Sequence, residues 1–386
     1  MFHLNYIKLI YFCIPAILSN LYMLEAKSLQ HITINKENLS DQLNLAGNQS
    51  ISDFSRLGYA LLYEHGKGAK VISLERPFSI NESTKTFEFN EHDWGRQKAL
   101  LRFAPNDRFV IYKNRQKRGA PTEIFDTLLN ESRYLHQIDD GEEQNIDVLD
   151  LSTILYTSYS THRRPRLYLV HRDEHHFLAE GGSAIWSPNG KWILLSEYAE
   201  PMTLMEKRRY GVLDKSIKKD SNKIKRISLD WSIYNRVGKK ILQLKNIEDN
   251  ICWSQWSDDS NYLVCRNLGV DGFVFFTFKQ DETTIKVSKI YRFAGFPDEH
   301  QRYTHCSSPT LSPNGDYIAF FKITENNDRE IERRLYLFDT KSKELQDLET
   351  VWIGSNDIKW VSSNQFFVKD GGQFFRYQII DKKSNE

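Results

Sequence analysis

The residues whose types could do chemistry lie in a few short stretches. HRDEHH carries His171, His175 and His176 beside Asp173 and Glu174, the densest group of potential metal ligands in the chain. Imidazole and carboxylate donors of this kind suit zinc and related ions. On a helix His171 and His175 would share a face. Here the segment ends a strand and enters a turn, where alternate residues share a side, so the spacing predicts an exposed polar turn instead. Gly181-Gly182-Ser183-Ala184-Ile185 begins like a hydrolase nucleophile elbow, but it lacks the closing Gly and runs into a strand where the elbow needs a helix. There is no phosphate-binding loop, dinucleotide fingerprint or calcium loop. The expectation is no catalytic residue, no metal ligand and no cofactor site.

Two further groups carry binding or redox chemistry. Cys252 and Cys265 flank WSDDSNY. With a turn centred between Asp258 and Asp259 they would face each other across one hairpin, close enough to bridge in an oxidising compartment. Reduced, buried thiols are the alternative. Residues 207–226 are crowded with Lys and Arg, and Lys207, Arg208, Arg209, Lys218 and Lys219 are the candidates for a partner-binding loop facing an anionic surface. A solvated hairpin extension is the alternative there. The net charge of the whole chain is only +1, so nothing general favours nucleic acid or a membrane surface.

The elements that must position these groups announce themselves by repetition. One phrase returns as FAPNDRF at 103–109, WSPNGKW at 186–192, WSDDSNY at 256–262, LSPNGDY at 311–317 and WVSSNQF at 360–366. Each copy sets a large apolar residue, four turn formers, and an aromatic residue six positions after the first. Pro presets φ at the second turn position, Asn and Asp tolerate left-handed geometry, and Gly takes positive φ freely, so the phrase reads as a hairpin. An aromatic content of 13% and short apolar runs bounded by Gly, Pro, Asn and Asp agree with an all-β chain.

WSPNGKWILL and LSPNGDYIAF resemble the TolB-type, WD40-like propeller repeat, and RLYLFDTKSKELQDL at 334–348 supplies the third strand, charged turn and fourth strand in the order that repeat has. RLYLVH at 166–171 and FVFFTF at 273–278 are similar third strands. The resemblance implies a β-propeller of six or seven four-stranded blades, with seven slightly favoured. The first interval between clear copies is about two repeats long, which puts a degenerate copy at VLDLSTILYTSY, 148–159. FSRLGYALLY at 54–63 would add one more. The last copy has too few strands after it, so residues 31–35 are expected to complete that blade and close the ring, removing the open edge.

Lys8 followed by the apolar run 9–18 reads as a secretory signal cleaved near Ala26 to Ser28, with an uncleaved membrane anchor as the alternative. The expected division is a signal at 1–28, a polar leader at 29–53 and the propeller at 54–386, with the basic insertion near 201–230 and no transmembrane span after cleavage. The leader is too short for the α/β domain that precedes the propeller in TolB, so TolB's envelope role does not carry over. The leading functional expectation is an exported, periplasmic or extracellular module that binds a protein partner. The alternative is a propeller enzyme or saccharide binder working at the channel mouth. Asp, Glu, His or Arg side chains converging there would favour the alternative.

Overall fold

The computed structural model describes residues 32–38, 49–55, 57–64, 68–75, 79–87, 99–114, 121–136, 142–160, 163–198, 229–244, 251–267, 272–293, 303–325, 331–351, 358–370 and 373–381. Among these residues there are strands and no helices. β1 (Ile32–Asn38) comes first. β2 (Gln49–Phe54), β3 (Tyr59–Glu64), β4 (Gly68–Glu75) and β5 (Ser79–Phe87) form one sheet, and β6 (Ala99–Phe103), β7 (Phe109–Asn114), β8 (Thr122–Asp126) and β9 (Glu131–Leu135) form the next. β10 (Glu142–Asp150), β11 (Thr153–Ser160), β12 (Arg163–His171), β13 (Glu174–Trp186), β14 (Trp192–Tyr198), β15 (Leu229–Asn235) and β16 (Lys240–Leu244) run on as a single sheet. β17 (Ile251–Trp256), β18 (Tyr262–Asn267), β19 (Gly272–Gln280) and β20 (Ile285–Phe293) make another sheet. β21 (Tyr303–Leu311), β22 (Tyr317–Glu325), β23 (Ile331–Asp339) and β24 (Leu345–Val351) make the one after it. In the last sheet β25 (Ile358–Ser362), β26 (Gln365–Asp370) and β27 (Gln373–Asp381) are joined by β1 on the outside.

The repeated phrase folds as its residues dictate. Its fifth position takes positive φ in five sheets, at Gly58, Asp107, Gly190, Ser260 and Gly315. In each of these the fifth N–H donates to the second carbonyl, as in Gly190 to Ser187 and Gly315 to Ser312. Asn189 Oδ1 caps its own turn by accepting from Ser187 Oγ at 2.8 Å and from Lys191 N at 3.0 Å. The last copy departs from this pattern, because Ser362 pairs directly with Gln365 in a tighter hairpin.

Apolar residues pack between sheets that follow one another in the chain. Phe109, Ile111 and Ile124 meet Val148, Ile154 and Tyr156, for instance, while Ala319, Phe321 and Leu337 meet Trp360, Phe366 and Val368. One cluster joins the ends, with Ile51, Phe54 and Leu62 of the first sheet against Phe367 and Phe374 of the last. The same sheet is completed by the seven-pair antiparallel register from Ile32 opposite Asp381 to Asn38 opposite Phe375. The ring therefore closes both by packing and by hydrogen bonding.

Three sequence expectations need correction. Six or seven separate four-stranded sheets were expected, whereas the strands form five sheets of four and one of seven, because β13 continues from one hydrogen-bonding partner to the next without a break. Most of β2 falls inside the segment expected to be a polar leader, whereas β1, in the same segment, is the closing strand expected there. The facing of Cys252 and Cys265 is replaced by Ser254 opposite Cys265, with Cys252 falling in an irregularity between Ile251 and Trp253. The cause is the turn. Ser260 at φ 60° occupies the left-handed position, and Trp256 pairs with Leu263, which moves the turn centre one residue along. The signal at 1–28, Lys207, Arg208, Arg209, Lys218 and Lys219 lie outside the described residues.

Candidate ligand cavity

The groups that drew attention in the sequence do not assemble into a centre. His171 Nδ1 lies 3.4 Å from Thr153 Oγ1 and His175 Nδ1 lies 3.0 Å from Tyr156 Oη, while Arg172 and Asp173 take positive φ to make the turn between them. The histidines diverge, and no group of three metal-binding side chains occurs among the described residues. Ser183 Oγ lies 3.3 Å from Ser196 Oγ, a second hydroxyl and no base. Two cations outside the 207–226 stretch are structural. Lys113 is buried in an ion pair with Glu143, and the Arg164 guanidinium stacks over Tyr198 at 4.2 Å.

A different set of residues does converge. The first strand of each sheet, together with β13 in the middle of the seven-stranded one, lines one cavity of about 1040 Å³ at the axis of the ring. The residue just before the first position of each repeat contributes to its wall: Asp53, Arg102, Asp147, Ile185, Gln255, Thr310 and Lys359. The positions correspond by register: Phe54, Phe103, Trp186, Trp256 and Leu311 form the pair nearest the hairpin turn that follows, while Val148 and Trp360 pair with Ile154 and Phe366, one pair back from the turn. An innermost strand is an edge strand, and its N–H groups on the axial side need partners. The neighbouring wall residues supply them. Asp53 Oδ2 accepts from Phe103 N at 3.1 Å, Asp147 Oδ2 from Trp186 N at 2.7 Å, and Gln255 Oε1 from Leu311 N at 3.0 Å. Each bond latches one innermost strand to the next.

Around one side of the cavity the charges alternate as Lys359, Asp53, Arg102, Asp147. Lys359 Nζ sits 3.1 Å from Asp53 Oδ1 and 2.6 Å from Asp107 Oδ1. Burial alone would lower its pKa, but the two carboxylates outweigh it and hold the ammonium above its usual value. Asp147 is buried with both oxygens taken, Oδ1 accepting from Val148 N at 2.8 Å. Burial pushes its carboxyl up to about 6, against the opposing pull of the two N–H groups and of Arg102. Arg102 is lowered by burial, with partial compensation from Asp147 and Asp53. Its guanidinium has one hydrogen bond among the described residues, Nη2 to the Ile146 carbonyl at 3.3 Å. Five N–H donors and one long bond leave Arg102 with capacity to spare. Trp186, Trp231, Trp256 and Trp360 provide apolar wall beside this belt.

No protein-family model and no curated protein sequence matches the chain. Solved structures match it in fold. An oligogalacturonate lyase from Vibrio parahaemolyticus aligns with a TM-score of 0.55 at 11% identity, over 90% of this chain and 97% of that one. The β-propeller domain of Myceliophteria thermophila Cps50 (Swd1) aligns with a TM-score of 0.53 at 10% identity, over 90% and 99% respectively. The chain is an all-β propeller. KlAtg21, in complex with the coiled-coil of AgAtg16, gives 0.52 at 11% identity, over 86% and 95%. At such identities the likeness is one of fold alone, and the neighbours include both an enzyme and a propeller in complex with a coiled-coil. The TolB-type repeat stays a resemblance of residues.

None of the wall positions was singled out in the sequence, although a signal was there. A charged residue immediately before the repeat's first apolar position recurs as Asp53, Arg102 and Lys359, in strands that must otherwise bury their side chains. Asp147 holds the same place in the degenerate copy.

Proposed function

We propose that this propeller is a binding protein whose site is the axial cavity, and that its ligand is a small, largely neutral, hydroxylated molecule of the saccharide class. One observation carries the reading: the equivalent position of every repeat meets in a single cavity, and one of them, Arg102, has donors there without a partner among the described residues. Alternating cations and anions offer hydrogen-bond donors and acceptors without a dominant sign, which suits hydroxyl groups better than a charged ligand. The tryptophans supply apolar surface for the faces of a sugar ring. Binding is favoured over catalysis because both oxygens of Asp147, the carboxyl with a raised pKa among the described residues, are held by backbone N–H groups. Titration calorimetry against a saccharide panel tests the proposal. Arg102→Met keeps the apolar stem and removes the donors, so affinity should fall at least about tenfold with little change in melting temperature. Unchanged affinity would reject Arg102 as the anchor.

The reading has three further parts. The seven-stranded sheet is taken as two blades sharing β13, which makes seven blades in all; packing of Leu155, Leu167 and Leu169 against Trp186, Ile193 and Leu195 within that sheet supports this. The chain is taken to be exported, on the strength of Lys8 and the apolar run after it. A protein or other anionic partner at Lys207, Arg208, Arg209, Lys218 and Lys219 is a separate proposal. Replacing all five with Gln should weaken association in a salt-sensitive way and leave thermal stability unchanged.

A further inference from the structure

The turns at one end of the cavity differ from repeat to repeat in a way that the fold does not require. The fourth position of the phrase is Asn106, Asn189, Asp259 and Asn314 in four copies, and each of these side chains caps its own turn through Oδ1. In the first sheet the same position is Leu57, which cannot cap and is 48% exposed. The turn between the third and fourth strands shows the same exchange. Asp126 Oδ1 accepts from Leu128 N and Leu129 N just as Asp339 Oδ1 accepts from Lys341 N and Ser342 N. Leu128 and Leu129 thus stand where an equivalent turn carries Lys341 and Ser342, and they are 55% and 57% exposed. A single exposed leucine is ordinary on a protein surface, but two that replace polar turn residues and line the same cavity form an apolar patch.

Leu57 and Leu128 both line the cavity, together with Pro105 and Pro188 from neighbouring turns and Leu149 near the end of β10. The apolar mouth is therefore continuous with the charged belt, and Pro105 lies only three residues along the chain from Arg102. Resting on the cavity reading above, we infer that the ligand is an amphiphile, with its hydroxylated head on the Asp53, Arg102, Asp147 and Lys359 belt and an alkyl chain leaving the cavity across Leu57 and Leu128. A wholly polar ligand would leave these two side chains exposed. A ligand with a chain removes apolar surface from water on both partners, at about 25 cal/mol per Å².

Titration calorimetry of the full chain with methyl and n-hexyl glycosides of the same sugar, over a panel of sugars, tests this. The expected result is a head group that binds in both forms, with the hexyl form at least about tenfold tighter, the gain that burying a few methylene groups should give. Leu57→Asn with Leu128→Lys installs residues that equivalent turns already carry, so it should keep the melting temperature and the methyl affinity while erasing the hexyl gain. Leu129→Ser, outside the cavity lining, should leave that gain intact. Equal affinity for the two forms, a gain that survives the double substitution, or a gain that Leu129→Ser also removes would overturn the amphiphile and leave the cavity reading in place. No binding of any glycoside in either form would overturn both.

Discussion

Asp147 shows how a single side chain ties the cavity to the sheets around it. Its two oxygens hold Val148 N and Trp186 N, so the carboxyl spans two neighbouring innermost strands, and Arg102 is the nearby cation acting on it. Its folded pKa of about 6 lies above the ordinary 3.8, because burial penalises the charged form more than the bonds to it compensate. The folded chain then holds this proton more tightly than the unfolded chain does. The resulting stabilisation is complete below about pH 4 and is lost as pH rises through about 6. Asp147→Asn has no proton to titrate. The unfolding free energy of the wild type minus that of the variant should therefore fall across this window and level off above it, other titrations cancelling in the difference. Urea unfolding of both proteins at several pH values measures it, and a difference that does not change with pH would show that Asp147 keeps its ordinary pKa.

At the level of the element, the hairpin was legible and its joints were not. The phrase predicted turns at the right places because Pro, Asn and Gly have specific backbone consequences, and Gly190 and Gly315 do sit at φ 68° and 76°. The degenerate copy at Val148 was legible through spacing alone. Register was harder: no residue of WSDDSNY says in advance that Ser260 will take the left-handed position, and that one choice moved the partner of Cys265 from Cys252 to Ser254. The cavity wall was hidden for a related reason. Its residues belong to consecutive repeats, so only the closed ring brings Asp53 near Lys359. The continuity of β13 was equally hidden. Its first half pairs with β12 and its second with β14, and the change comes at Gly181. A Cβ there would stand 1.9 Å from the Ser196 carbonyl oxygen and 2.7 Å from a Leu167 methyl. Backbone cannot yield as a flexible side chain can, so Gly181→Ala should destabilise by several kcal/mol, about 3 or more, or prevent folding. Gly58→Ala has its nearest contact at an ordinary 3.5 Å and suffers only from its positive φ of 85°. It should cost about 1 kcal/mol. Denaturant midpoints for the two variants would rank them, and equal effects would remove Gly181 from its role as the joint of β13.

For the molecule as a whole, the outer strand of the last sheet comes from the start of the described chain, and this links the proposed signal cleavage to stability. β1 pairs with β27 over its full length, with Lys36 Nζ over the Phe375 ring at 4.1 Å, and it makes a contact beyond its own sheet, where the same Nζ reaches Glu349 Oε1 of β24 at 2.8 Å. Ile34 packs at the rim of the cluster that joins the last two sheets. Without β1, β27 becomes an open edge, with unpaired N–H and C=O groups where another chain could add. Cleavage between Ala26 and Ser28 would leave every residue of β1 in the mature protein. A chain beginning at Leu29 should therefore melt at the same temperature as the full-length protein, whereas one beginning at Leu39 should melt several degrees lower and self-associate. A loss of a few kcal/mol in a protein this large corresponds to a shift of roughly 3 to 6 °C. Calorimetry and light scattering on the two truncated chains separate the possibilities. If both melt alike, closure by β1 contributes little and the ring is held by the packing of Phe54 against Phe367 and Phe374. If both melt low, residues before Leu29 belong to the fold, and cleavage as proposed would yield an unstable protein.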